Sequence, residues 1–184
     1  MKTLQPLSME EANENSQVIF KAVKSKIGML PNLYATMGVS DKLLGGFLSF
    51  TETLKSGEFN NKEYEAIALA TSQANSCGYC LSAHTAIGKM TGLTEQDILD
   101  IRDHSIEDTK LNALVILASE FIKLNGHPTV TAIDNFFKAG YNKAAFTEVI
   151  AIVALITITN NIYHNGGFEI DFPTAQHIEE LQVV

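Results

Sequence analysis

The sequence is poor in basic side chains and in cysteine, and it has no tryptophan. Its 184 residues include 13 Lys and Arg against 21 Asp and Glu, for a formal net charge of −8, and only two cysteines. Because no run of Lys or Arg could follow a phosphate backbone, we expect no nucleic-acid partner. With 46% hydrophobic residues the chain is long enough to form one domain over residues 1–184 without disulfide bonds.

The sequence also shows no pattern typical of a secretion signal or of a membrane-spanning helix. The first residues, MKTLQPLSMEEANENS, lack the apolar core of a signal peptide, so we expect a cytoplasmic protein. The most apolar stretch, EVIAIVALITITNNIYH from Glu148 to His164, is interrupted by Thr157, Thr159 and Asn160. It is shorter than the roughly 18–20 apolar residues of a spanning helix, so we expect a buried element and no membrane contact.

Almost no segment alternates apolar and polar residues with period two, which predicts an all-α fold. Ser8 and Glu11 form a capping-box pattern that predicts the start of a helix ending near Gly28. The following GMLPNLY is predicted to be a turn, because Pro31 disfavours helical dihedrals at the residue before it. Further helices are expected at Ser40–Lys55, Asn61–Ala74, from Cys77, from Thr94, at Glu107–Asn125, Thr129–Ala139 and about Lys143–Ile162.

A faint internal repeat pairs FNNKEYEAIALATSQANSCGYC with YNKAAFTEVIAIVALITITNNIY. In this pairing Phe59 falls near Tyr141 and Glu65 meets Glu148, which suggests two related helical halves. The positions of the two cysteines fall on Asn160 and Tyr163 in the second copy, so that copy is predicted to be structural. No glycine-rich phosphate loop is flanked by the required strand and helix, so we expect no nucleotide cofactor.

The segment CGYCLSAH holds both cysteines and one histidine. If Cys77 opens a helix, Cys80 lies three residues later and His84 four residues after that, so all three project from one helix face. Cysteines at this spacing are close enough for a disulfide, and a thiolate near a helix N-terminus is stabilised by unpaired N–H groups. The segment is therefore predicted to be a reactive dithiol.

Glu65 is the predicted fourth member of the site. If the Asn61–Ala74 helix and the helix from Cys77 form an antiparallel hairpin, Glu65 falls near His84. The carboxylate would then orient the imidazole, and the imidazole would take the proton of Cys80. Cys77 is the competing nucleophile if the helix dipole matters more than the histidine.

Two other readings of the cysteine pair remain open at this point. Two Cys and one His are natural zinc ligands, but a structural zinc site needs four protein ligands, and a second CxxC or paired His is absent. Alternatively, the pair is inert and simply packed in the core. The other histidines, His104, His127, His164 and His177, are scattered and are predicted to have surface or loop roles.

Glu65, eleven residues, Cys77, two residues, Cys80, three residues and His84 resemble the signature of the alkylhydroperoxidase D (AhpD) branch of the carboxymuconolactone decarboxylase superfamily. The segments MLPNLY, LSFTETLKSG and TGLTEQDI resemble the peroxidase-related subgroup. The resemblance implies an all-α, internally duplicated fold and homo-oligomers, commonly trimers or hexamers. It also implies a dithiol enzyme that reduces peroxides or exchanges disulfides. We expect neither a metal nor an organic cofactor.

By that resemblance Glu65 and His84 are proton-relay residues, Cys80 attacks the hydroperoxide and Cys77 resolves the sulfenic acid. An external dithiol, a lipoyl group or a thioredoxin-like protein is then expected to reduce the disulfide. Tyr79 stands where the best-studied type has a second histidine, and a Tyr with pKa near 10 is a poor base, so a slower peroxidase is expected. The alternatives are a decarboxylase, which needs no dithiol, and a redox-switched binding or chaperone module.

Overall fold

A computed structural model describes residues 4–178, which form nine α-helices and no strand. The helices are α1 Glu14–Ile27, α2 Asn32–Met37, α3 Asp41–Leu54, α4 Asn61–Ala74, α5 Gly78–Met90, α6 Glu95–Asp103, α7 Thr109–Lys123, α8 Val130–Lys138 and α9 Lys143–Gly166. The all-α prediction is confirmed.

Helix α4 is the centre of the fold. Nine successive residues, 64–72, are buried, because α4 packs against α5, α6, α7 and α9 on its different sides. Its composition, dominated by Ala, Ile, Leu and small polar residues, fits a helix with no solvent face. Its start is fixed by a capping box in which Asn60 and Glu63 exchange side-chain and backbone hydrogen bonds.

Two predictions about the first forty residues were wrong in part. Ser8 and Glu11 do form reciprocal hydrogen bonds, but they close an isolated turn. Helix α1 begins only at Glu14, because Asn13 has extended dihedrals and caps Ser16 N. The predicted turn GMLPNLY also contains a helix start: Leu30 lies outside any helix, as expected, yet Pro31 is the N-cap of the short helix α2.

Helix α9 is long and apolar enough to cross a membrane by length and composition alone. It packs against α2, α3, α4, α5 and α7, and the side chains that face these helices are fully enclosed, among them Val149, Ile152 and Asn160. Burial against five helices is the behaviour expected of a core helix, as the sequence predicted. The helix continues four residues beyond the predicted end, to Gly166.

The segment after α9 folds back over the start of α5. Asp171 accepts hydrogen bonds from the Tyr79 hydroxyl at 2.6 Å and from Asn32 N at 2.6 Å. Further along, Ala175 N donates to Ser82 Oγ at 3.0 Å. This C-terminal segment, residues 167–178, therefore ties α2 and α5 together beside the cysteines.

Candidate active site

The break between α4 and α5 positions the two cysteines. Ser76 adopts left-handed dihedrals with φ 54°, which ends the helical path of α4. Cys77 N then donates to Ser72 O at 2.9 Å, and Cys77 becomes the N-cap of α5. Cys80 consequently lies in the first turn of α5, where unpaired backbone N–H groups favour a thiolate.

Both cysteines are free thiols inside the protein, Cys77 with 0% and Cys80 with 2% of its surface exposed. Their side chains are hydrogen-bonded to each other. The Cys80 thiol also donates to Thr159 Oγ1 on α9 at 3.6 Å. The pair is therefore in the reduced state, with the two sulfurs close together.

Glu65 and His84 are in direct polar contact. His84 Nδ1 lies 2.7 Å from Glu65 Oε2, and only 15% of the His84 side chain and 3% of the Glu65 side chain are exposed. The predicted antiparallel pairing of α4 and α5 is present and brings the two residues together across the helix break. A buried carboxylate at this distance fixes the imidazole ring and leaves Nε2 free for other partners.

The two thiols have opposite acidities. The hydrogen bond from Cys77, the positive charge of His84 and contacts from Thr159 and Asn160 outweigh burial and lower the pKa of Cys80 to about 6. The same hydrogen bond to Cys80, together with burial and the negative charge of Cys80, raises the pKa of Cys77. At neutral pH the structure therefore favours a thiolate on Cys80 and a thiol on Cys77.

The charge on His84 follows from its surroundings. Burial alone would lower the pKa of His84, but the charge and hydrogen bond of Glu65 and the charge of Cys80 raise it overall. Within the described part of the chain, His84 makes no hydrogen bond to the Cys80 sulfur and acts on it by charge. Glu65 and Cys80 therefore both favour the protonated form of the His84 imidazole.

Sequence reasoning missed two residues of α9, which lie in the second copy of the repeat, the copy that was predicted to be structural. Thr159 contacts the Cys80 sulfur, and the Asn160 side chain lowers the pKa of both thiols by favouring their charged forms. The Asn160 amide is itself oriented, because Asn75 Nδ2 donates to its Oδ1 at 2.8 Å. The repeat alignment, which placed Asn160 opposite Cys77, was the available signal.

Tyr79 does not stand beside the sulfurs as a substitute base. Its hydroxyl donates to Asp171 Oδ1 at 2.6 Å and accepts from Leu33 N at 3.2 Å, and its ring packs on Tyr163, Phe168 and Phe172. Burial and the Asp171 hydrogen bond raise its pKa. Tyr79 is thus an anchor between α5, α2 and the C-terminal segment.

A cavity of about 570 Å³ opens in front of the site. Glu65, Cys80 and His84 line it, whereas Cys77 is absent from its wall. Most of the remaining wall is apolar or aromatic, formed by Ile27, Met29, Pro31, Leu33, Phe47, Ile87, Met90, Leu155, Ile156 and Phe172 together with Tyr34, Tyr64 and Tyr79. A molecule in the cavity can reach the sulfur of Cys80 but not that of Cys77.

The other residues and the metal site considered in the sequence analysis do not form part of this cysteine site. Within residues 4–178 no three His, Cys, Asp or Glu side chains are arranged as ligands of a metal ion. His164 approaches only the edge of the site, with Nε2 3.0 Å from Asn75 O. Glu148, the repeat partner of Glu65, accepts a hydrogen bond from Glu58 N at 2.7 Å and does not contact the cysteines.

Several solved structures share the helical fold of this chain over most of its length. An uncharacterised peroxidase-related protein from Ralstonia eutropha JMP134 with an alkylhydroperoxidase AhpD core has a TM-score of 0.80 at 19% identity, covering 93% of this chain and 94% of that one. A peroxidase-related protein from Silicibacter sp. TM1040 has a TM-score of 0.77 at 20% identity, covering 91% and 92%. The debrominase Bmp8 in its apo form has a TM-score of 0.78 at 21% identity, covering 93% of both chains.

Sequence comparison identifies the part of the chain that carries the motif. No curated protein matches the chain. The model of the carboxymuconolactone decarboxylase family matches residues 42–119, a range that holds α4, α5 and all four predicted site residues. The chain therefore has an AhpD-like helical fold, and its residues 42–119 match the carboxymuconolactone decarboxylase family.

Proposed function

We propose that the protein is a thiol-dependent peroxidase that cycles between the Cys77–Cys80 dithiol and its disulfide. The observation that carries the proposal is the asymmetry of the pair: Cys80 is the acidic thiol and faces the cavity, while Cys77 is the protonated thiol behind it. A nucleophile needs a thiolate and access to substrate, and Cys80 has both. Glu65 and His84 are proposed as the proton relay.

The first step is attack of the Cys80 thiolate on the outer oxygen of a hydroperoxide. The S–O bond forms, the O–O bond breaks, and the alkoxide leaves as an alcohol after taking the proton of the His84 imidazolium. Cys80 is then a sulfenic acid. The thiol of Cys77 condenses with it, so that the S–S bond forms and one water is released.

An external dithiol closes the cycle by reducing the disulfide and becoming oxidised itself.

We include in the proposal that residues 1–184 act as one domain in the cytoplasm. We also propose that the chain forms homo-oligomers, because large apolar side chains such as Phe50, Met90 and Val130 are exposed. Light scattering of the purified protein measures the oligomer number.

The decisive experiment is the intact mass of the reduced protein after one equivalent of an organic hydroperoxide. We expect the wild type to lose two hydrogens and gain no oxygen. Cys77→Ser should gain one oxygen, because the sulfenic acid on Cys80 cannot be resolved, and Cys80→Ser should not change. If diamide oxidises the wild type but the hydroperoxide does not, the peroxidase proposal is wrong and a redox-switched binding module is the better explanation.

Reductive dehalogenation is a second candidate for the same site. A variant of Bmp8 bound to 2,3,4-tribromopyrrole is among the similar structures, with a TM-score of 0.78 at 20% identity. The apolar, aromatic-lined cavity beside Cys80 has the character expected for a flat halogenated ring. The reaction balances as aryl halide plus two thiols giving arene, halide, a proton and one disulfide.

The two candidates separate by their products. Incubation of the reduced protein with a brominated pyrrole and excess dithiol should release bromide if the second candidate holds, and should leave the pyrrole intact if only the peroxidase proposal holds. Decarboxylation, the chemistry in the family name, needs neither thiol. Activity that survives alkylation of Cys80 would favour it over both.

A further inference from the structure

The cavity beside Cys80 is much larger than hydrogen peroxide requires. Its volume of about 570 Å³ lies within the roughly 300–1,000 Å³ of pockets that hold drug-sized ligands. A water-sized molecule occupies about 30 Å³ of liquid. The cavity therefore has room for an organic hydroperoxide with a long body, and its apolar wall suits a hydrocarbon.

The charged residues in the cavity wall indicate which kind of polar group a ligand would carry. Apart from Glu65, His84 and the Cys80 thiolate, the charged residues that line the cavity in the described part of the chain are Lys26 and Lys55, both positive, in a chain with a net charge of −8. Lys26 Nζ is 3.0 Å from Glu52. Among the described residues, Lys55 has no carboxylate within ion-pair distance. Among the described residues, the cavity thus combines an apolar wall with one cation, Lys55, that has no carboxylate partner.

A hydrogen-bond donor accompanies that cation. Lys55 Nζ lies 5.3 Å from the ring centroid of Tyr64, which also lines the cavity. Tyr64 is 2% exposed, and its buried hydroxyl has no hydrogen-bond partner among the described residues. Burial of an unpaired hydroxyl is unfavourable, and a ligand oxygen that accepts a hydrogen bond from it would remove the cost.

We infer that the cavity takes an amphiphilic organic hydroperoxide with a hydrocarbon body and a terminal carboxylate, which Lys55 and the Tyr64 hydroxyl bind while the peroxide group lies against Cys80. The inference rests on the peroxidase function proposed above and names its substrate class. The carboxylate takes no part in the reaction: the hydroperoxide and the two thiols give the alcohol, water and the disulfide. A carboxylate is the anion that fits, because one ammonium and one neutral hydroxyl balance a single negative charge.

The test compares linoleic acid hydroperoxide with its methyl ester, which lacks the negative charge and carries one additional methyl group. In the wild type we expect kcat/KM for the acid to exceed that for the ester by roughly tenfold, the size of a charge-assisted hydrogen bond. The preference should shrink as salt is added, because screening weakens an exposed ion pair. Lys55→Met should bring the ratio of acid to ester close to one, mainly through KM for the acid.

Lys62→Met is the matched control, since it removes the same charge from an exposed lysine that does not line the cavity. It should keep the wild-type ratio. Tyr64→Phe should lower the ratio without the full loss seen in Lys55→Met. Oleate, which has no peroxide group, provides a readout independent of turnover: it should protect Cys80 from alkylation in the wild type more strongly than methyl oleate does.

The outcomes separate this inference from the proposed function. If both hydroperoxides are reduced with the same kcat/KM and oleate protects no better than its ester, the carboxylate site is overturned while the peroxidase proposal stands. If no hydroperoxide is reduced at all, the proposed function fails and the substrate assignment fails with it. A tenfold acid preference that disappears in Lys55→Met and persists in Lys62→Met supports the inference.

Discussion

The hydrogen bond between the two cysteines should control the reactivity of Cys80, and one pair of variants isolates it. Cys77→Ala removes the donor, whereas Cys77→Ser keeps an O–H group in the same place. Either variant leaves Cys80 as the single thiol of the chain. We expect Cys80 to titrate close to its lowered pKa of about 6 in Cys77→Ser and at a clearly higher pKa in Cys77→Ala.

The size of the difference follows from the energy of a hydrogen bond to a charged group. Such a bond contributes about 1.5–3 kcal/mol, which corresponds to a pKa change of about 1–2 units. The midpoint in Cys77→Ala should therefore lie between about 7 and 8. At pH 7 the thiolate fraction would fall from about 90% to between about 50% and 10%.

The assay is the pH dependence of thiolate absorbance near 240 nm, supported by the rate of alkylation with iodoacetamide. At pH 7 the alkylation rate of Cys77→Ala should be roughly two to ten times lower than that of Cys77→Ser, because only the thiolate reacts. The two variants should converge above pH 9. Identical midpoints would refute the argument and would leave His84 and α9 as the source of the acidity of Cys80.

Three further outcomes follow from the same geometry. The kcat/KM of the wild type for a hydroperoxide should fall as pH drops through about 6, because the thiolate of Cys80 is protonated there; a flat profile between pH 5 and 8 would contradict its role. Asn160→Asp should raise the pKa of Cys80 by placing a like charge beside the sulfurs, whereas Asn161→Asp, at an exposed neighbouring position, should not, and the thiolate titration measures both. Tyr79→Phe should reduce the free energy of unfolding in urea by about 1–3 kcal/mol, since it removes a donor to Asp171 and an acceptor for a backbone N–H, and an unchanged midpoint would show that the anchor is not needed.

The local elements of this fold follow closely from the sequence. Helix α4 has the predicted ends, because the Asn60–Glu63 capping box and the polar sequence after Ala74 are strong local signals. The contact of Glu65 with His84 could also be predicted, since a hairpin of two helices fixes which positions face each other. Helix α2 was missed because six residues carry too little periodicity to distinguish a short helix from a turn.

The long-range contacts of the site could not be predicted from local sequence patterns. Tyr79 and Asp171 are 92 residues apart, and no spacing rule connects them. The sequence predicts Lys55 and Tyr64 only as ordinary helical residues. Their shared position in the cavity between α3, α4 and α5 is visible only in the structure. Such contacts depend on how helices pack, and packing is set by the whole core instead of by local pattern.

The two segments paired by the sequence repeat differ in one physical respect, and that difference creates the site. The first segment breaks after α4, which turns the backbone at Ser76 and makes Cys77 a helix cap. The second segment continues unbroken through Asn160 to the end of α9. Because it continues, it can hold the break from outside: Asn160 accepts from the Asn75 side chain and His164 contacts Asn75 O. The second segment has no cysteine, yet it contributes to the site, since the intact helix supports both the turn that positions the sulfurs and the polar groups that face them.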